Sequence, residues 1–286
     1  MAASNMKDVK RRIKSVESTM QITKAMQLVA SSKMRRAKER AEAVHPFFES
    51  VFQVMCDVSR DHDFTSVYTK KKFKNSTLMI VIAGDRGLAG GFNHNVLKMA
   101  EARAEEIIGT GGEIRVMAIG KKAVEYFEKR SYDLTDRFPN IAEGIDLTDV
   151  MEIAENIIER FRLGDFDAVE LVYTTFVSAM TQEPNQLRIL PLENLDYIGD
   201  KHPSTIYDPS PEEVFDGMIP QYLCGMLYSA IVDSYASEQA ARRTAMESAS
   251  DNASEMIDNL SLLYNRARQA QITQEITEIS SASINK

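Results

Sequence analysis

The sequence predicts an α/β domain flanked by two long helices that pair as an antiparallel coiled coil. Three observations lead to this fold class. Apolar residues repeat with 3,4 spacing near the start of the chain, strand-like and helix-like segments alternate in the middle, and the last quarter lacks helix breakers. We therefore predict an N-terminal coiled-coil helix over 1–60, an α/β domain over 75–195 and a C-terminal coiled-coil helix over 210–286.

The N-terminal helix carries a heptad seam, the line of positions that face a partner helix. Of sixteen seam positions from Met6 to Val58, fourteen are apolar. The two polar positions are Thr23 and Gln27, which either fix the register of the coiled coil or face a different partner. A nearby basic cluster, residues 33–40, is either a solvated face or a docking patch for acidic loops.

The middle of the chain predicts a Rossmann-like α/β domain. Buried strands are expected at 77–84, 113–120 and 167–179, and an edge strand at 186–192. Amphipathic helices are expected at 94–108, 121–130 and 148–161. This alternation favours a mostly parallel sheet with helices on both faces.

A glycine-rich turn, DRGLAGGFN at 85–93, follows the first strand directly. Phosphate groups bind at such turns in dinucleotide-binding proteins. However, the glycine spacing is neither G-x-G-x-x-G nor the P-loop pattern. A plain strand-to-helix turn is favoured over a nucleotide site, and no cofactor or metal site is predicted.

The C-terminal helix is expected to begin with Ser210 as its N-cap and Pro211 as its first residue. No proline follows Pro220 and no glycine follows Gly225, so a helix of roughly 90 Å is possible at ~1.5 Å per residue. The 3,4 spacing predicts a seam at Met246, Ala249, Ala253, Met256, Leu260, Leu263, Ala267 and Ala270. Beyond it, Ile272, Ile276 and Ile279 carry an apolar tip that needs a partner surface.

Charge and composition exclude several classes of function. The net charge of −8 and the pI of about 5.2 argue against a nucleic-acid-binding protein. No apolar run reaches the length of a membrane span, so none is expected. The two cysteines and four histidines show no metal-binding spacing and are expected to be structural.

Four segments resemble one family closely: SVESTMQITKAMQLVASSKMRRAKER, DRGLAGGFN, ASEQAARRTAMESASDNASEMI and LYNRARQAQITQEITEI. They resemble the γ subunits of F-type ATP synthases, and the likeness covers essentially the whole chain. The resemblance implies a non-catalytic rotary shaft that couples ion flow through a membrane c-ring to ATP synthesis or hydrolysis on β subunits. It implies α, β and ε subunits and the c-ring as partners, no cofactor, and a peripheral location on the cytoplasmic face of a bacterial inner membrane.

The same resemblance implies which residues meet the partners. Loops of the β subunits are expected to contact Lys24, Met26, Arg268, Gln269, Thr273 and Glu275. The tip that turns inside a hexamer of alternating α and β subunits is expected to consist of Ile272, Ile276 and Ile279. The chain departs from the family pattern in its SSASINK end and in Ala89, where many members have cysteine. Two alternatives from the residues alone are a nucleotide-binding enzyme with helical oligomerisation arms and a static scaffold.

Overall fold

The computed structural model describes residues 2–60, 64–70, 75–192, 195 and 206–284. The chain divides into two compact units. We call Met1–Ser31 with Arg242–Lys286 the helical unit, and Ser32–Ala241 the α/β unit. The elements, in chain order, are α1 (Ala2–Val58), β1 (Ser76–Ile82), α2 (Phe92–Gly109), β2 (Glu113–Ile119), α3 (Lys121–Glu128), β3 (Leu134–Phe138), α4 (Leu147–Leu163), β4 (Ala168–Phe176), β5 (Gln182–Leu190) and α5 (Pro211–Ile284).

The α/β unit contains a five-stranded sheet with the order β3-β2-β1-β4-β5. β1 pairs in parallel with β2 and β4, and β2 with β3. β5 pairs antiparallel with β4 at one edge, as expected for a strand that contains Pro184. The mostly parallel sheet and the edge position of the last strand are therefore confirmed.

Helices cover both faces of the sheet, as predicted. Because side chains alternate along a strand, β1 sends Leu78, Ile80 and Ile82 to one core and Met79 and Val81 to the other. The first core also contains apolar side chains of α1, α4 and α5. The second contains those of α2 and α3. The part of α1 and the part of α5 that belong to the α/β unit therefore pack on the same face of the sheet as α4.

Strand β3 was missed in the sequence. It is five residues long, contains Asp136 and Arg137, and forms the edge beyond β2. An edge strand is covered by a neighbouring strand on one side alone and can be short and charged. The segment 134–138 therefore lacks the apolar run by which buried strands are recognised in a sequence. The other predicted strands and helices exist, with ends that differ by a few residues.

Local signals explain where the last two helices begin. Asp146 caps α4 by accepting hydrogen bonds from the amides of Thr148 and Asp149 at 2.8 and 3.0 Å. The Ser210 hydroxyl accepts from the Glu213 amide at 3.2 Å, so the predicted cap of α5 is confirmed. α5 then continues without interruption through Pro220.

Helices α1 and α5 pack closely and antiparallel in the α/β unit. Phe52 stacks on Tyr222 with ring centroids 6.1 Å apart, and Phe48 lies against Gly225 one turn further along α5. A side chain at Gly225 would collide with the Phe48 ring. Glycine at this position therefore sets the distance between the two helices.

The predicted seam of α1 is confirmed at every position. All sixteen side chains from Met6 to Val58 are buried or half-buried. The predicted seam of α5 is partly wrong. Met256, Leu263 and Ala270 are exposed, and Ser250, Ile257, Tyr264 and Gln271 occupy the inner face instead, in register with Met246, Ala253, Leu260 and Ala267. The prediction chose apolar residues one position too early because Ser250 and Gln271 are polar.

Candidate functional site

The glycine-rich turn lies at the place where doubly wound sheets usually bind ligands. Strand order places β2 on one side of β1 and β4 on the other, so the connections diverge between β1 and β4. Ligands of such sheets bind outside the carboxyl ends of the strands at this switch point. Gly84, two residues after β1, and Thr174, beyond the part of β4 that pairs with β1, mark this crevice.

The crevice is filled by side chains of α5. The Ser234 hydroxyl accepts a hydrogen bond from the Thr174 amide at 3.0 Å, and the Ser237 hydroxyl donates to the Thr174 carbonyl at 3.4 Å. The carboxylate of Glu238 lies against Gly84, where an added Cβ would be 2.7 Å from Glu238 Cδ. All three α5 side chains are at most 5% exposed. The helix thus occupies the position that a ligand takes in other doubly wound folds.

The polar groups of the turn are also engaged within the chain. Asn93 Oδ1 accepts from the Gly84 amide at 2.8 Å. Asp85 Oδ1 accepts from the amides of Lys121 and Asn140, both at 2.8 Å. An anionic phosphate would meet the carboxylates of Asp85 and Glu238 here, which disfavours the nucleotide hypothesis. The preferred prediction, a structural turn, agrees with this geometry.

A buried ion pair holds α2 to the sheet beside this crevice. The Glu170 side chain on β4 is 2% exposed and accepts two hydrogen bonds from Arg103 of α2, at 2.7 and 2.8 Å. Arg188 and Gln186 of β5 each add one at 3.1 Å. Burial raises the pKa of the Glu170 carboxyl, but the hydrogen bonds from Arg103 and Arg188 outweigh it, so the pKa lies below its usual value.

The basic cluster of α1 binds an acidic loop of its own chain. Lys33 Nζ lies 2.5 Å from a Glu143 carboxylate oxygen, and Arg40 donates to the Glu143 carbonyl at 3.2 Å. Lys38 lies over the Phe176 ring, 5.1 Å from its centroid. Part of the predicted docking patch therefore serves the α/β unit itself.

The helical unit contains all the residues for which the resemblance implies partner contacts. On α1, Lys24 is exposed and Met26 is half-buried. On α5, Arg268, Gln269, Thr273 and Glu275 are exposed, together with Ile272, Ile276 and Ile279, which are 45%, 58% and 70% exposed.

The α5 residues for which the resemblance implies partner contacts follow two adjacent lines on the helix. Residues three or four apart share a face, so Arg268, Ile272, Glu275 and Ile279 form one line. Gln269, Thr273 and Ile276 form the next. The Thr273 hydroxyl donates to the Gln269 carbonyl at 2.9 Å, and Gln271 Nε2 donates to Glu275 at 2.8 Å. Polar and apolar side chains therefore share one exposed surface.

The polar seam position Thr23 proves to be an internal contact. Its hydroxyl lies 2.6 Å from the Ser250 hydroxyl of α5, and both side chains are buried. This arrangement supports the interpretation of Thr23 as a register-fixing residue. Gln27, the second polar position, is half-buried.

Neither cysteine has the surroundings of a reactive thiol. Cys56 and Cys224 are at most 1% exposed. Burial raises the pKa of the Cys224 thiol to about 11, which keeps it protonated near neutral pH. Within the ranges that the structure describes, no group of three His, Cys, Asp or Glu side chains is arranged to hold a metal ion. Nor does any described helix combine the length and apolarity that crossing a membrane requires.

Comparison with known proteins identifies the family. A family model described as ATP synthase matches residues 5–283. The ATP synthase gamma chain of Ruminococcus albus is 81% identical over 282 residues, which are 99% of each chain. The chain belongs to the ATP synthase gamma chain family. It is therefore a subunit of an ATP synthase and is not itself catalytic.

More distant relatives agree. The sodium ion specific ATP synthase gamma chain of Acetobacterium woodii is 39% identical and covers 97% of each chain. A chain in the central stalk and c-ring structure of the Tetrahymena thermophila mitochondrial ATP synthase has a TM-score of 0.63 at 27% identity, covering 80% of this chain and 99% of that one. A Euglena gracilis mitochondrial ATP synthase chain, at 18% identity, shares the fold with a TM-score of 0.67 over 99% of this chain and 94% of that one.

Sequence reasoning missed two sets of residues. Ser237 and Glu238 follow Ser234 by three and four positions on α5, so all three lie on one face, and this pattern was available as a sign of buried polar contacts. Glu170 interrupts the apolar run of β4, which is a sign of a buried ion pair. In both cases the partner lies far away in the sequence, so only the fold identifies it.

Proposed function

We propose that this chain is the rotating central shaft of an F-type ATP synthase. In this role it couples ion flow through a membrane c-ring to ATP synthesis or hydrolysis at sites on the β subunits. The observation that carries the proposal is the 81% identity to a bacterial ATP synthase gamma chain over nearly the full length of both chains. Rotation of the shaft would change the three β sites in turn.

A shaft needs a surface on which a surrounding sleeve can slide. The proposal is supported by an exposed apolar surface on the helical unit, where nine large side chains are 44–72% exposed: Ile22, Leu28, Val29, Met256, Leu262, Leu263, Ile272, Ile276 and Ile279. Apolar contacts are non-directional and therefore oppose sliding less than fixed hydrogen bonds do. We propose that the hexamer of α and β subunits covers this surface.

Directional contacts with the sleeve are proposed for the polar residues among these side chains. Arg268 and Lys24 supply positive charge, and Gln269 and Thr273 supply groups that donate and accept hydrogen bonds. Glu275 and Met26 complete the set. Contacts of this kind with β loops would report the angular position of the shaft to a catalytic site.

The α/β unit is the proposed foot. It has an apolar core on each face of the sheet, and the ε subunit and the c-ring would bind to this unit. We propose that the chain lies at the periphery of the membrane, on the cytoplasmic face of a bacterial inner membrane. The ion that drives rotation is a property of the ring.

The experiment is co-assembly of the chain with α and β subunits, followed by measurement of ATP hydrolysis without ε or c-ring. We expect the chain to assemble with both subunits and to support turnover. A triple variant, Ile272→Ser, Ile276→Ser and Ile279→Ser, should assemble but hydrolyse ATP at an altered rate. A static scaffold would instead change only in assembly.

Leu163→Ser is the matched control for this triple variant. Leu163 is 74% exposed, but it lies on α4 in the α/β unit. It should leave hydrolysis unchanged in the complex without ε and c-ring. Failure of the wild-type chain to assemble with α and β subunits would overturn the proposed function.

A further inference from the structure

The connection between α5 and the sheet contains buried hydrogen bonds in addition to apolar packing. If the chain is a shaft, as proposed above, torque must pass between the α/β unit and its own long helix. Apolar packing resists separation, but its individual contacts are non-directional and allow small sliding movements. Hydrogen bonds fix both distance and direction. Buried polar contacts between α5 and the sheet can therefore transmit torque.

Three polar residues on one face of α5 make such contacts. Ser234, Ser237 and Glu238 are spaced i, i+3 and i+4, so they point in similar directions from the helix. The two serines bind both backbone groups of Thr174 on β4. Glu238 reaches the end of β1 at Gly84. One helix face is thereby fixed to two neighbouring strands of the same sheet.

These contacts are shielded from water. Thr174 and Ser234 are 2% exposed, and Ser237 is fully buried. Water cannot readily replace a partner that is lost at such a site, so each broken hydrogen bond leaves an unpaired buried group. Thr174 lies past the end of the β1–β4 pairing, so β1 does not supply hydrogen-bond partners for its backbone groups. The two serines of α5 supply them instead.

We propose that Ser234, Ser237 and Glu238 form a torque joint in which the helix has taken over the ligand crevice of a doubly wound sheet. The carboxyl edge of the sheet, which in other folds grips a nucleotide, here grips the shaft helix. The three residues are positioning residues for rotary coupling. Gly84 belongs to the joint because only its lack of a side chain admits the Glu238 carboxylate.

The first test is hydrogen exchange on the full-length chain. Ser234→Ala should make the Thr174 amide exchange about fivefold faster, the effect expected for the net loss of one buried hydrogen bond. Thr174→Val is the control, because it keeps the backbone groups that the serines bind. The Thr174 hydroxyl that this variant removes has no hydrogen-bond partner among the described residues. The other sheet amides should therefore keep their protection from exchange in Thr174→Val. Unchanged exchange at Thr174 in Ser234→Ala would overturn the joint.

The second test measures torsional stiffness in the assembled complex. A probe is attached to the α/β unit while a non-hydrolysable ATP analogue holds the shaft inside the hexamer. The angular fluctuation of the probe then reports the compliance of the chain. The double variant Ser234→Ala and Ser237→Ala should show larger fluctuations, and so a loss of stiffness. Ser229→Ala, a half-buried serine of α5 in the same unit, should not.

Glycine variants test the same joint from the sheet side. Gly84→Ala should increase the fluctuations, because the new Cβ displaces the Glu238 carboxylate. Gly87→Ala, in the same turn, has no atom within 4 Å of the added Cβ and should have no effect. Unchanged stiffness in both the serine double variant and Gly84→Ala would overturn the proposal. Failure of the proposed function is a separate result, because the wild-type chain would then not assemble at all.

Discussion

The hydroxyls of Thr23 and Ser250 form a hydrogen bond of 2.6 Å that joins α1 to α5 across the buried seam of the helical unit. Each hydroxyl also lies within bonding distance of a carbonyl of its own helix, that of Met20 at 3.0 Å and that of Met246 at 2.9 Å. A hydroxyl has one hydrogen, so one of them donates across the seam and the other donates to its own helix. This pair fits only one register of the two helices.

Removing this pair should loosen the helical unit. We expect Thr23→Val to lower the free energy of unfolding by about 1 kcal/mol, because Ser250 loses its cross-helix partner. Hydrogen exchange over residues 2–31 measures the effect. Adding Ser250→Ala should cost less than the sum of the two single changes, since both act on one bond. Thr19→Val, at an exposed position one turn earlier, is the control; an equal loss there would contradict the assignment.

The glycines of α5 should respond to substitution with opposite signs. Gly217 is exposed and an added Cβ meets no atom within 4 Å, so Gly217→Ala should stabilise the helix by about 1 kcal/mol. Gly225→Ala should instead destabilise the chain by about 1–3 kcal/mol, because its side chain collides with Phe48. Urea denaturation of both variants provides the comparison. Stabilisation by Gly225→Ala would show that the two helices separate easily.

The buried pair of Glu170 and Arg103 predicts a pH dependence. Because the pKa of Glu170 is lower in the folded chain, its contribution to stability is present above the ordinary glutamate value of about 4.3. That contribution is lost as the pH falls through the folded-state pKa. Glu170→Gln should cost about 1.5–3 kcal/mol at neutral pH, because it removes the charge from a buried hydrogen-bonded pair and leaves Arg103 with the more exposed Glu106 as its carboxylate partner.

Urea denaturation of the wild type and Glu170→Gln, from pH 7 to pH 3, measures this effect. The difference in stability between the two chains should shrink as the pH falls. Glu125→Gln serves as the control, because Glu125 pairs with Lys122 at 2.7 Å in a more exposed position. A difference for Glu170→Gln that stays constant with pH would contradict the prediction.

The sequence revealed the seam of α1 completely and that of α5 only in part. In α1 the apolar residues form a regular 3,4 series that is interrupted at two positions, Thr23 and Gln27. The regular spacing on both sides of them places these two residues on the seam as well. In α5 the true inner face contains Ser250 and Gln271, so a count of apolar residues favours Met256 and Leu263 instead. A polar seam residue is recognisable only when its partner is known.

The α/β unit was predictable to the level of its strands but not of its crevice. Apolar runs such as that of β1 identify buried strands, whereas the charged edge strand β3 has no such signal. The spacing of the glycine-rich turn favoured a structural role, and the internal hydrogen bonds of Asn93 and Asp85 support that interpretation. That Glu238 fills the space beside Gly84 depends on a contact between residues 154 positions apart, which no local pattern encodes.

The polar residues near the end of α5 for which we propose partner contacts should affect turnover without affecting stability. Arg268 and Gln269 are exposed, so replacing both with alanine should change the stability of the free chain by no more than about 0.5 kcal/mol. In the assembled complex, we expect slower ATP hydrolysis. Arg266→Ala is the matched control, because two residues along a helix place its side chain about 200° away from that of Arg268. An equal effect of Arg266→Ala would argue against a specific contact.

Direct observation of rotation tests the claim that this chain is a rotating shaft. Leu163→Cys places a thiol at an exposed position of the α/β unit, and the native thiols of Cys56 and Cys224 are buried, so a probe can be attached selectively. The chain is then assembled with immobilised α and β subunits and supplied with ATP. We expect the probe to rotate in one direction for as long as ATP is hydrolysed. Continued hydrolysis with a stationary probe would contradict it.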